Sequence, residues 1–125
     1  MGHRILVVDD EQDMLLLLEM RLTSAGYLVA TANNGELALK LVKTTKPDLI
    51  LLDIMLPGMD GGEVQRILKS SPETKDIPII FLSGLYTKNE ETKDGDNVGY
   101  DSIAKPYEPA ELLGKIKRLI ASKAP

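Results

Sequence analysis

The chain contains no cysteine, which excludes a disulfide framework and any thiolate metal site and suits a reducing compartment, so the cytoplasm is the expected location. Histidine occurs once, as His3 at the start of the chain, and no metal or catalytic role is read for it. No apolar stretch reaches the roughly 18 residues that span a bilayer, and no signal-peptide core follows Met1-Gly2-His3-Arg4, so neither membrane insertion nor export is expected. The phosphate-cradling runs G-x-G-x-x-G and G-x-x-x-x-G-K-S/T are missing as well, which excludes dinucleotide and P-loop nucleotide enzymes. Nor is there an excess of positive charge. With 19 acidic against 15 basic residues and a net charge of -4, the segment has no sequence-independent attraction for nucleic-acid phosphates or anionic lipid.

What remains is an ordinary globular composition. The 125 residues, 43% of them hydrophobic, fit a single domain over 1–125 with its core at about 4–120. Arg4 to Val8 is a short apolar run, followed by a Leu-rich helical stretch from Met14 to Leu22 that stops at Ser24-Ala25-Gly26. Leu28 to Thr31 reads as a second strand. The helical pattern Leu37, Ala38, Leu41, Val42 then ends before Lys46-Pro47. Asp48 to Leu52 reads as a third strand, Glu63 to Leu68 as a helix, Ile77 to Leu82 as a fourth strand and Tyr100 to Ala104 as a weaker fifth. Glu108 to Ile120 closes the chain as an amphipathic helix with Leu112, Leu113, Ile116, Leu119 and Ile120 on one side. Four strands nearly all apolar, alternating with helices, predict an α/β fold with a parallel sheet covered on both faces.

Two of the apolar runs end on acids: Asp9 and Asp10 follow Ile5-Leu6-Val7-Val8, and Asp53 follows Leu49-Ile50-Leu51-Leu52. In open α/β sheets the C-terminal ends of the strands are where ligands bind. Two carboxylates about 5 Å apart at an effective dielectric near 20 repel by on the order of 3 kcal/mol, and a third adds comparable repulsion. A hard divalent cation relieves this, and Mg²⁺ suits one or two carboxylates with waters and a phosphate oxygen. The bland reading is that Asp9 or Asp10 caps the helix beginning near Glu11 and that Asp53 opens the turn toward Pro57-Gly58. A solitary Lys105, in Ala104-Lys105-Pro106, supplies the opposite charge.

These residues resemble the receiver domain of bacterial two-component response regulators, the CheY-like superfamily, from Arg4 to about Ile120. The resemblance is carried by Ile5-Leu6-Val7-Val8-Asp9-Asp10-Glu11, by Asp48 through Gly61, by Pro78-Ile79-Ile80-Phe81-Leu82-Ser83-Gly84, and by Lys105-Pro106-Tyr107. It implies a doubly wound, flavodoxin-like (βα)5 domain with strand order 2-1-3-4-5, an order known for such folds rather than read from these residues. It implies Asp53 as phosphoacceptor, taking a phosphoryl group from a sensor histidine kinase or phosphotransfer protein. Asp9, Asp10, Asp53 and the backbone carbonyl of Met55 would serve Mg²⁺, with Asp9 acting mainly through bound water. Ser83 would hydrogen-bond one phosphoryl oxygen and Lys105 would pair with another, its peptide bond to Pro106 being cis in the family. The domain would be a signalling switch rather than an enzyme, acting on a downstream protein or output domain, with no direct nucleic-acid binding and no membrane contact. Carboxylate nucleophiles and in-line phosphoryl transfer with charge neutralisation suit this set.

Two departures from the family stand out. Its aromatic residue three positions before the Lys is Ser102 here; Tyr100, two residues earlier, either takes over part of that role or simply covers the sheet edge. The segment from Thr87 to Asn97, where the family has a helix, contains no apolar residue, so a short, frayed or displaced helix is expected there. Gly84 fits either a close phosphate approach or an ordinary strand-to-loop glycine, and Gly61-Gly62 reads as turn punctuation. The Lys115, Lys117, Arg118 and Lys123 charges suit a helix C-terminus, with a partner-binding basic face as the weaker reading. Apolar Met55 and Leu85 offer nothing to orient an attacking water, which predicts slow self-dephosphorylation.

Rival readings are separable. A haloacid-dehalogenase-like aspartyl phosphatase places a second Asp two residues after its nucleophile, whereas position 11 is Glu. An FMN binder needs hydroxyl residues where Asp9-Asp10-Glu11 stands. A degenerate receiver acting only as an interaction module would not need the full set Asp9, Asp10, Asp53, Ser83 and Lys105. After Ile120 only Ala121 to Pro125 follow, which suits a stand-alone relay as well as the receiver part of a transcription factor or hybrid kinase.

Overall fold

The computed structural model describes residues 2–56, 58–83, 100–104 and 108–123, with the backbone alone at 83, 100–104, 122 and 123. The expectations for Thr87 to Asn97, Gly84, Leu85, Lys105-Pro106 and the side chains of Ser83, Tyr100 and Ser102 fall outside the described residues. The strands are β1 (Arg4–Val8), β2 (Leu28–Ala32), β3 (Leu49–Asp53), β4 (Ile79–Ser83) and β5 (Tyr100–Ala104). The helices are α1 (Gln12–Ser24), α2 (Gly35–Thr45), α3 (Gly61–Lys69) and α4 (Pro109–Lys123). All strand pairs are parallel, and the sheet runs β2-β1-β3-β4-β5. The α/β class with a parallel sheet is the one the apolar runs predict.

Alternation along each strand divides the core in two. Ile5, Val7, Leu49, Leu51, Ile80 and Leu82 pack with Leu15, Leu18 and Leu22 of α1 and Leu112, Ile116 and Ile120 of α4. Their neighbours Leu6, Val8, Ile50, Leu52, Ile79 and Phe81 face Ala38 and Val42 of α2 and Val64 and Leu68 of α3. Burial on both faces is what a near-continuous apolar strand requires. α1 is apolar nearly all round, so it also leaves Leu16, Leu17 and Met20 exposed.

Some boundaries shift from the sequence reading for local reasons. Asp48 is not the first residue of β3. It lies just before it, its Oδ2 accepting the Arg4 N–H at 2.8 Å while its own N–H donates to the Arg4 carbonyl at 2.7 Å. β4 starts at Ile79 rather than Ile77, because the Ile77 N–H donates to Thr74 and Pro78 has no N–H to give a ladder. α2 opens on an Asn34 cap, whose side chain accepts the Leu37 N–H at 2.8 Å. It closes on Lys46 at φ 49, a left-handed conformation that Gly normally fills. Among the described residues, no helix is long and apolar enough to cross a membrane.

Candidate functional site

The register of the central strands brings the acids together. Val8 lies opposite Leu52, so Asp9 and Asp53 follow at adjacent strand ends. Asp9 continues the ladder by donating its N–H to Ala32 at 3.1 Å, and Ile54 does the same toward Leu82 at 3.2 Å. One carboxylate oxygen from each of Asp9, Asp10 and Asp53 falls in a group whose members all lie within 4.8 Å of one another. Asp9 has no exposed surface and Asp53 keeps 6% of its own, while Asp10 is exposed.

The two buried acids shape their own loops by the same device. The Glu11 N–H donates to Asp9 Oδ1 at 2.9 Å, and the Met55 N–H donates to Asp53 Oδ1 at 3.2 Å. Each is an Asx-type closure onto the residue two positions on. Neither Asp9 nor Asp10 caps α1: its cap is Glu11, without a side-chain hydrogen bond. The turn-forming half of the bland reading of Asp53 therefore holds, yet it does not account for three acids meeting. At these separations each pair repels by about 3 kcal/mol at an effective dielectric near 20. Burial raises the cost for Asp9 and Asp53 unless a cation compensates. An all-oxygen donor set at this spacing suits a hard divalent ion, with no imidazole or thiolate to favour a softer one. The acidic cluster can hold a metal.

The remaining predicted residues are placed in part. Met55 lies two positions beyond the end of β3, with 58% of its surface exposed. Ser83 ends β4, one residue beyond Leu82, the register partner of Asp53, and opposite Ala104. Lys105, next after Ala104, lies outside the described residues. Sequence reasoning missed Gly61, which is more than punctuation. It is the first residue of α3, and its N–H donates to the Ile54 carbonyl at 2.9 Å. The only signal that could have found it is its place at the start of a helix returning to the strand end.

Comparison with known proteins agrees with this geometry. The profile of the response regulator receiver domain matches residues 5–117. The response regulator PleD of Caulobacter vibrioides is 38% identical over 98% of this chain and 27% of its own length. The alkaline phosphatase synthesis transcriptional regulatory protein PhoP of Bacillus subtilis is 42% identical over 96% of this chain and 49% of its own length. The chain thus spans between about a quarter and a half of these curated relatives. A response regulator structure from Chloroflexus aurantiacus superposes with a TM-score of 0.85 at 35% identity, covering 97% of this chain and 99% of that one. The receiver domain of a Pseudomonas aeruginosa sensor histidine kinase, described with a magnesium ion coordinated in its active-site cleft, superposes with a TM-score of 0.84 at 30% identity. It covers 97% of this chain and 99% of that one. Built on this sheet, with its acids gathered at these strand ends, the chain belongs to the receiver domain family of two-component response regulators.

Proposed function

We propose that Asp53 is the phosphoacceptor of this receiver domain and that Asp9, Asp10, Asp53 and the Met55 carbonyl hold Mg²⁺ beside it. The observation that carries this is the convergence of three carboxylates within 4.8 Å, two of them buried, at the ends of adjacent strands. An Asp53 oxygen attacks the phosphorus of a phosphohistidine on a sensor kinase or phosphotransfer protein. The P–N bond breaks, its electron pair returns to the imidazole, and an acyl phosphate forms on Asp53. When bound, Mg²⁺ supplies the positive charge that offsets both the carboxylates and the phosphoryl oxygens. The Met55 N–H holds one Asp53 oxygen, which fixes the carboxylate plane. Ser83 hydrogen-bonds a phosphoryl oxygen and Lys105 neutralises another.

The unit is read as one domain over 1–125 with its core at about 4–120, a flavodoxin-like (βα)5 arrangement in which order 2-1-3-4-5 sets β1 beside β3. It works in the cytoplasm as a switch, without catalytic turnover of its own beyond adding and losing its phosphoryl group. The output is contact with a downstream protein or an attached domain, not direct contact of this segment with nucleic acid.

Acetyl phosphate with Mg²⁺ tests the reading. One phosphoryl group per chain, lost in Asp53→Ala, is expected. An unlabelled wild type would reduce the domain to an interaction module, and steady turnover of a phosphomonoester would make it a phosphatase.

A further inference from the structure

Gly61 leaves no room for a larger residue at the point where α3 meets the end of β3. A Cβ built on it would lie 2.5 Å from the Asp53 carbonyl oxygen and 2.8 Å from the Cα of Ile54. Gly61 is helical, so space rather than backbone conformation excludes a side chain. Its N–H donates to the Ile54 carbonyl at 2.9 Å, while the Ile54 N–H donates to Leu82 at 3.2 Å. The Asp53–Ile54 peptide is therefore held by β4 through its N–H and the next peptide, Ile54–Met55, by the first turn of α3 through its carbonyl, while Gly61 also closes on the Asp53 carbonyl oxygen. The intervening loop is closed at both ends. Asp53 Oδ1 takes the Met55 N–H, and Asp60 Oδ1 takes the Glu63 N–H at 2.9 Å.

We propose that Gly61 is a positioning residue for the phosphoacceptor. Its missing side chain lets the N-terminus of α3 press directly on the Asp53–Ile54 peptide, which fixes the Asp53 carboxylate and the Met55 carbonyl relative to Asp9 and Asp10. This rests on the reading of Asp53 as the phosphoacceptor. Gly35 supplies an internal control. A Cβ there would meet Val64 Cγ2 at 2.9 Å and the Cβ and carbonyl oxygen of Met59 at 3.1 Å, a milder overlap whose shortest contact is a side-chain methyl rather than the backbone at the end of β3. A methyl group at either glycine overpacks the α2–α3 side of the molecule. Only the one at Gly61 displaces the acceptor.

The test uses the full chain as wild type, G61A and G35A, with Mg²⁺ affinity from calorimetry and the initial rate of labelling by acetyl phosphate at saturating Mg²⁺. Displacing a group that supports a metal ligand costs about 10–100-fold in affinity. G61A is expected to lose that in Mg²⁺ affinity and to label more slowly, with G35A near wild type although both lose stability. Equal losses in the two variants, or none in G61A, would overturn the proposal. Should G61A not fold, the wild-type amide spectrum decides: the Gly61 resonance is expected to move on Mg²⁺ addition and the Gly35 resonance to stay. An unmoved Gly61 overturns the proposal. A wild type that neither binds Mg²⁺ nor takes label overturns the phosphoacceptor reading instead, so the two failures are distinct.

Discussion

Asp9 and Asp53 each spend one carboxylate oxygen on the backbone two residues ahead, so the acids that gather charge also build the loops that hold them. Asp10 has no such bond among those described and stands exposed, which makes it the residue whose charge can be removed with least damage. Asp10→Asn relieves part of the repulsion in the trio. After screening at an exposed position, the metal-free protein is expected to gain up to about 1 kcal/mol in urea denaturation. The same variant should weaken Mg²⁺ binding, so its stability advantage disappears once the ion is added. The three acids were legible in the sequence because each closes an apolar run, the one place in an α/β sheet where a charge meets a ligand. Gly61 was not, since a glycine code letter does not distinguish a turn from a backbone contact with the end of the preceding strand.

The elements show where local chemistry overrides pattern. Asn34→Ala removes the side-chain cap of α2 and is expected to cost about 1 kcal/mol by thermal or urea unfolding. Lys69, in the last turn of α3, donates its ammonium to the Lys75 carbonyl at 2.8 Å. Burial holds its pKa below the ordinary 10.5, with Asp76 pulling the other way. The unfolded chain therefore binds more protons in the interval between that lowered value and 10.5. Lys69 accordingly makes stability rise with pH across this window. Lys69→Met should flatten that rise in denaturation curves taken across alkaline pH; an unchanged slope would assign it to other groups. Strand boundaries slipped at Asp48 and Ile77 because apolar periodicity cannot register a carboxylate bonded to Arg4 or the missing N–H of Pro78. In α1 the run Leu15-Leu16-Leu17-Leu18 hid which face is buried, and only packing against β1 and β2 selects Leu15, Leu18 and Leu22.

For the whole molecule, one parallel sheet sets both stability and site geometry. Leu51 is fully buried and sits two residues before Asp53 on the same face of β3. Leu51→Ala is expected to cost about 2–5 kcal/mol and to loosen the strand end that carries Asp53. Ligand linkage gives a complementary expectation: each tenfold rise in Mg²⁺ well above its Kd adds about 1.4 kcal/mol to the folded state, seen as a rising Tm. The alternation of strands and helices made the layered fold readable without coordinates. The pairing of β1 with β3, which assembles the site, was not readable from residues alone, because parallel register is fixed by contacts between segments far apart in the chain.

The most direct measurement is a calorimetric Mg²⁺ titration of the wild type, Asp53→Asn and Asp48→Asn. Asp48 is a matched carboxylate control at the opposite end of β3, bonded to Arg4. One ion per chain in the wild type, retained in Asp48→Asn and weakened at least about tenfold in Asp53→Asn, is the result predicted for a shared carboxylate site. Mg²⁺ binding unchanged by Asp53→Asn would contradict it.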